Sequence, residues 1–304
     1  MATQKISLVL SGGGARGLAH IGVIEELEMR GYEITQICGT SMGAMVGGIY
    51  AAGKLPDFKL WLSKLNRYSL FRLMDISFRN KGLIKGERIM SALGKFVPDE
   101  DILDLPISFS AVASDILGRQ EVLFSEGSLH EALRASTSIP TLFTPVRRDG
   151  MILVDGGVYN NLPVNHVKKK WGTRLIAVDV NSAKVEALIA VGSDNVEKSA
   201  VEMHQNQVVN ASNNPSILQH EAAVNYRWLL DRTISILIEQ TAHASIAKNP
   251  PDLLINIPRD IAGTLHFLKY SSIIEEGRTY AKRYLDEFEK KESEGFMARL
   301  RHRF

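Results

Sequence analysis

Two glycine-rich turns in the first 53 residues, each set between an apolar strand and a helix pattern, constrain this fold more than any other feature of the chain. Ile6-Ser7-Leu8-Val9-Leu10 reads as a short buried strand and runs directly into Ser11-Gly12-Gly13-Gly14-Ala15-Arg16-Gly17. A helix is predicted from about Leu18 to Arg30, with Ile21, Ile24 and Leu27 on one face and the glutamates on the other, ended by Gly31. A second strand, Ile34 to Cys38, meets Gly39-Thr40-Ser41-Met42-Gly43, and a small-residue helix follows to Gly53. Strand, turn and helix repeated twice is the signature of a parallel α/β sheet.

Further strands are predicted at Ser108–Ala113, Glu121–Phe124, Met151–Val154, Leu175–Val180 and Leu253–Ile257. Arg148-Asp149-Gly150-Met151 carries the Asp-Gly pair of a tight hairpin. Residues 186–248 read as mostly helical with a polar break at Asn210–Pro215, and Ser272–Phe304 as a long charged helix. No repeat, linker or composition break divides the 304 residues, so one α/β domain with helical additions is expected. A net charge of +2 does not suggest nucleic acid as a partner, and a single cysteine, Cys38, excludes an internal disulfide. The start of the chain lacks the pattern of a secretory signal, and no window reaches the roughly 18 apolar residues of a membrane span. A soluble, cytoplasmic protein is expected.

The chemistry concentrates at the turns. G-x-S-x-G at Gly39–Gly43 places Ser41 on a cramped corner, where side chains two residues before and after would collide. The following helix aims its N–H groups and positive dipole end at the same spot. Gly12–Gly17 also satisfies G-x-G-x-x-G, the dinucleotide fingerprint, but that reading needs an acidic residue closing the second strand. Glu33 precedes that strand, so the nucleotide reading lacks its second half. The loop is better suited to an oxyanion hole, its glycines letting successive backbone N–H groups of the turn at 12–17 converge beside Ser41. Arg16 suits bracing of this loop or contact with a lipid phosphate, the plain alternative being a surface salt bridge. Of eight histidines, His20 and His166 lie nearest the motifs, yet neither is singled out as a base. Asp155 closes the apolar strand Met151–Val154 and precedes Gly156-Gly157, which suits a carboxylate at a strand tip as well as a plain turn residue.

Taken together, Gly12–Gly17, Gly39–Gly43 and Asp155-Gly156-Gly157 resemble the patatin-like phospholipase family, and Arg134-Ala135-Ser136-Thr137-Ser138-Ile139-Pro140 is similar to its serine-rich stretch. The resemblance runs from about Lys5 to Val180 and is weak beyond. It implies an α/β/α three-layer sandwich with a mainly parallel sheet and a cofactor-free Ser41–Asp155 dyad. Gly12, Gly13, Gly14 and Arg16 would form the oxyanion loop, and the substrates would be acyl esters of glycerolipids or lysophospholipids. The competing expectations are a regulatory or scaffolding protein on the same fold and a dinucleotide-binding enzyme.

Lys59–Arg88 holds eight basic residues against two acidic ones, interleaved with Leu60, Trp61, Leu62, Leu65, Tyr68, Leu70, Phe71, Leu73, Met74, Ile76 and Phe78. Such a stretch suits peripheral contact with an anionic membrane or a lid over an acyl groove. Phe296–Phe304 repeats the pattern on a smaller scale, with a solvated tail as the plainer reading, and Lys168-Lys169-Lys170 reads as a solvated helix end.

Overall fold

The computed structural model describes residues 4–77, 83–167, 171–182 and 226–301. The helix expected before Tyr226, the break at Asn210–Pro215 and Lys168–Lys170 lie outside these residues, as do the side chains of 295–304. The chain divides into a main unit, residues 1–182 and 238–304, and a second stretch, 183–237, whose described part is helical from Tyr226.

Alternating side chains build the main unit in layers. The strand β1 (Gln4–Leu10) turns Ile6, Leu8 and Leu10 to one face of the sheet and Val9 to the other. It is flanked by two parallel partners, β2 (Tyr32–Thr40) and β9 (Arg174–Ser182). β10 (Leu253–Pro258) continues the parallel set beside β9, and β5 (Ser108–Asp115) continues it beside β2. β6 (Gln120–Phe124) and β8 (Met151–Asp155) run antiparallel to β5, and β7 (Val146–Arg148) pairs with β8. The order is β10-β9-β1-β2-β5-β8-β7 with β6 also on β5, an eight-stranded, mainly parallel sheet. The predicted strands are all present, each extended by one to four residues, and Asp149 and Gly150 take the positive φ values, 48° and 78°, of the expected hairpin turn.

One face of the sheet is covered by α1 (Ala19–Met29), α2 (Met42–Ala51), α6 (Leu129–Ser136) and the long α8 (Tyr270–Arg301). On the other face Val9, Cys38, Val112 and Ala177 pack against Leu162, Val164 and Ala242, the last from α7 (Tyr226–Lys248). Between β2 and β5 the chain forms α3 (Leu55–Ser63), α4 (Arg67–Leu73), a small β3–β4 ribbon (Ile76–Ser77 with Leu83–Ile84) and α5 (Glu87–Leu93).

α1 and α8 cross at backbone distance. A Cβ on Gly22 would overlap the Ile274 carbonyl, and one on Gly277 would overlap the Ala19 carbonyl. Arg30 then ties the helices together through Asp286 at 2.6 Å and Glu289 at 2.9 Å. Glycine inside a helix ordinarily costs about 0.5–1 kcal/mol relative to alanine. Here overpacking of about 1–3 kcal/mol opposes that gain. Gly22→Ala and Gly277→Ala are therefore expected to lower the urea midpoint, where helix propensity alone would raise it.

Candidate active site

Strand register brings the predicted residues to one edge. Leu10 stands opposite Gly39, Thr40 opposite Val112, and Ala113 opposite Asp155. The turn after β1, the elbow after β2 and the tip of the antiparallel β8 therefore meet at the carboxyl ends of the parallel strands, where sheets of this kind bind ligands. Sequence separations of more than a hundred residues collapse to neighbouring positions across three strand pairings.

Ser41 is the N-cap of α2 and holds φ 55° and ψ −123°, a conformation that non-glycine residues rarely adopt. The two flanking glycines account for how the corner closes. A Cβ at Gly39 would lie 2.6 Å from the Ala44 nitrogen, and one at Gly43 would run into the Leu10 carbonyl. The serine-rich stretch then clamps the elbow: Ser41 N–H donates to Ser136 Oγ at 2.9 Å, and Ser136 Oγ–H donates to Val112 O at 2.6 Å. The same stretch holds the aspartate strand, since Asp155 N–H donates to Ser138 O at 2.9 Å.

Asp155 is buried and its Oδ1 accepts the Gly157 N–H at 2.8 Å. Burial pushes its carboxyl up to about 6, against the smaller opposing pull of the Ser41 hydroxyl and the Gly157 amide. Oδ2 has no partner of hydrogen-bond geometry among the described residues, so the Ser41 hydroxyl stands beside the carboxylate without being aligned on it.

The glycine loop packs directly on the elbow: a Cβ at Gly12 would lie 3.0 Å from Ser41 Cβ. Its donors are not equivalent. Gly12 N–H is spent on Asn161 O at 3.1 Å and Ala15 N–H on Thr264 O at 2.8 Å, whereas among the described residues nothing accepts the Gly13 and Gly14 N–H groups. Arg16 braces the loop, reaching Asn181 Oδ1 at 3.2 Å and Ala262 O at 3.3 Å.

Among the described residues neither His20 nor His166 pairs with Ser41 or Asp155. His20 is fully buried, its Nε2 lies 2.8 Å from Ser11 O, and burial lowers its pKa to about 4. Because a carbonyl only accepts, that contact assigns the proton to Nε2. His166 sits in a turn and pairs with Glu121 at 2.8 Å. Glu33 lies at the amino end of β2 near Lys5, far along the strand from the loop, so it cannot hold a ribose there. No group of three metal-ligating side chains occurs among the described residues.

Two features escaped the sequence. One is the polar second layer, Asn161 and Asn181, for which the only signal was a polar residue just past an apolar strand or glycine pair. The other is an apolar cavity of about 160 Å³ with Ser41 in its wall. Trp61, Leu62, Leu65, Leu70, Leu73 and Met74 line it, so much of the segment expected to form a lid faces inward.

Over 98% of its length the chain is 32% identical to an uncharacterized NTE family protein of Mycobacterium tuberculosis H37Rv, covering 96% of that protein. It is 29% identical over 95% of its length to the lysophospholipase nte1 of Aspergillus niger, of which it spans 18%. The structure of VipD from Legionella pneumophila aligns with 94% of this chain and 67% of its own, with a TM-score of 0.47 and 16% identity. Residues 8–168 match the model of patatin-like phospholipases, a span that holds both glycine turns, the serine-rich stretch and Asp155, and the chain belongs to that family.

Proposed function

We propose that this protein hydrolyses acyl ester bonds of lipids through Ser41 and Asp155. The observation that carries the reading is a strained serine in the wall of an apolar cavity, next to a buried carboxylate with one unpartnered oxygen. Asp155 takes the hydroxyl proton as Ser41 Oγ attacks the ester carbon, and the carbonyl oxygen becomes an oxyanion facing the Gly13 and Gly14 N–H groups, which no described residue accepts. Collapse breaks the bond to the alcohol, which leaves with the proton from Asp155. Water then attacks the acyl-serine, gives its proton to Asp155, and releases the fatty acid and the regenerated serine. Met45, Trp61, Leu70 and Phe96 provide the apolar wall for an acyl chain. The name of the Aspergillus niger relative makes single-chain lysophospholipids the first substrates to try.

Ser41→Ala and Asp155→Asn are expected to lose more than about 1000-fold in kcat on a short-chain ester, while His166→Ala keeps most of it. Covalent labelling of Ser41 by a fluorophosphonate separates this reading from that of a scaffold; folded protein that takes no label favours the scaffold.

The raised Asp155 carboxyl fixes two pH effects. The base works only when ionised, so kcat/KM should rise with pH through about 6 and level off above it. The sign for stability is opposite. A carboxyl raised in the folded state favours folding at acid pH, and that contribution is lost as pH rises through the folded value of about 6. At pH 8 Asp155→Asn should therefore be more stable than wild type by on the order of 2–3 kcal/mol, read as a higher Tm. An equal or lower Tm contradicts the burial argument.

The outer face of α3 and α4 supports contact with an anionic bilayer. Along α4, Leu70 and Leu73 line the cavity, whereas Tyr68 and Phe71 are 70% and 61% exposed, beside Arg67 and Arg72. Leu60 adds an exposed apolar residue on α3. The basic set is smaller than the sequence suggested: Lys59 turns to Glu25, Arg88 donates to Arg72 O, and Arg79 and Lys81 lie outside the described residues. No described helix is long and apolar enough to cross a membrane. Full-length protein should float with phosphatidylglycerol vesicles. Arg67→Glu/Arg72→Glu and Tyr68→Ala/Phe71→Ala should each weaken flotation several-fold and slow hydrolysis of vesicle lipid, with short-chain ester turnover unchanged. Equal flotation of wild type and both double variants would refute this contact.

A further inference from the structure

We propose that Asn181 is a positioning residue: it latches the Gly12–Gly13 peptide in the one orientation that presents the Gly13 N–H to the oxyanion. The inference rests on the Ser41–Asp155 reading above. β9 lies on one side of β1 and β2 on the other, so Asn181 and Ser41 approach the loop after β1 from opposite sides. Ser11 is fixed first, its N–H donating to Val178 O and its Oγ accepting the Val180 N–H, both at 3.0 Å.

Asn181 then uses its whole amide. Nδ2 donates to Gly12 O at 2.7 Å and to Asp179 Oδ1 at 3.1 Å, while Oδ1 accepts from Arg16 Nη2 at 3.2 Å. A guanidinium only donates and a carbonyl only accepts, so these partners leave the amide a single way round. Asp179 also accepts the Asn181 backbone N–H at 3.0 Å, which fixes the residue at both ends. Asn181 and Asp179 are both buried, so water does not compete for these bonds.

The consequence is geometric. All described peptides are trans, and a trans peptide points its C=O and N–H in opposite directions. Holding Gly12 O toward β9 therefore turns Gly13 N–H toward the end of β2, where Ser41 stands, and no described residue accepts it. Two adjacent glycines offer little resistance to a peptide flip. The flipped loop would aim a carbonyl where the oxyanion forms, replacing attraction by repulsion. A latch with one acceptor and two donors at fixed reach is what the site needs, and asparagine supplies it. Arg16 gains a role by the same argument, since it sets which way the amide faces.

The test measures kcat and KM for a soluble short-chain ester, Ki for a trifluoromethyl ketone that forms an anionic adduct on serine, and Tm. The variants are Asn181→Ala and the isosteric Asn181→Asp, which carries the test should the alanine variant not fold. Ile255→Val, a fully buried change on β10 away from the loop, controls for lost stability alone. Expected for Asn181→Asp is a kcat drop of about 100-fold, the scale of one lost oxyanion donor, with KM within about threefold. The ketone Ki should rise by a similar factor, while Ile255→Val lowers Tm without either change. Unchanged kcat and Ki in both Asn181 variants, with Ser41 still required, would overturn the latch and leave the hydrolase reading standing. A fall in Tm without loss of kcat, as in Ile255→Val, would overturn it too. Turnover that survives Ser41→Ala would remove the hydrolase reading itself and the latch with it.

Discussion

Backbone meets backbone where the elbow glycine Gly43 lies against the Leu10 carbonyl, and the rest of the site is arranged around that contact. It sets α2 directly over the end of β1, leaving Ser41 in a conformation that costs on the order of 1–3 kcal/mol in isolation. The strain persists because both sides of the serine are tied: its N–H to Ser136 and its carbonyl to the Met45 N–H at 2.9 Å.

A dense polar layer then surrounds an otherwise apolar sheet edge. Asp155, Asp179, His20, Asn161 and Asn181 are all buried, and His20, Asn161 and Asn181 bond the Ser11 and Gly12 carbonyls of the glycine loop. Such groups oppose folding through lost hydration, and the opposition is offset by the two hydrophobic layers on the faces of the sheet. The same desolvation that destabilises Asp155 is what raises its basicity.

The helices between β2 and β5 show how one short segment faces two environments. The helical period of 3.6 residues separates Leu70 and Leu73 from Tyr68 and Phe71 on opposite sides of α4. A capping box at Asn66 and Ser69 closes the start of that helix, which has no fully buried residue of its own. Arg134, donating to Lys85 O and to Ser138 Oγ, ties the end of the segment back to the serine-rich stretch beside the elbow.

Local pattern alone determined the strands, the two glycine turns and the Asp-Gly hairpin, because alternation and steric limits at a turn act within a few residues, whereas Asp155 read by itself suited a plain turn residue equally well. The glycine loop was legible as a set of donors but not as unequal ones. Gly12 N–H is consumed by a carbonyl far along the chain, that of Asn161, while among the described residues nothing accepts the Gly13 and Gly14 N–H groups. The apolar character of Lys59–Arg88 was equally plain, yet which of its residues face the cavity and which face out depended on where α4 packs. Asn181 carried no signal beyond a polar side chain at a strand end, since its meaning arises only when β9 is laid beside β1. Sequence decides what each residue is able to do over short range. Only strand register, a long-range pairing, decides which of those abilities meet at one edge.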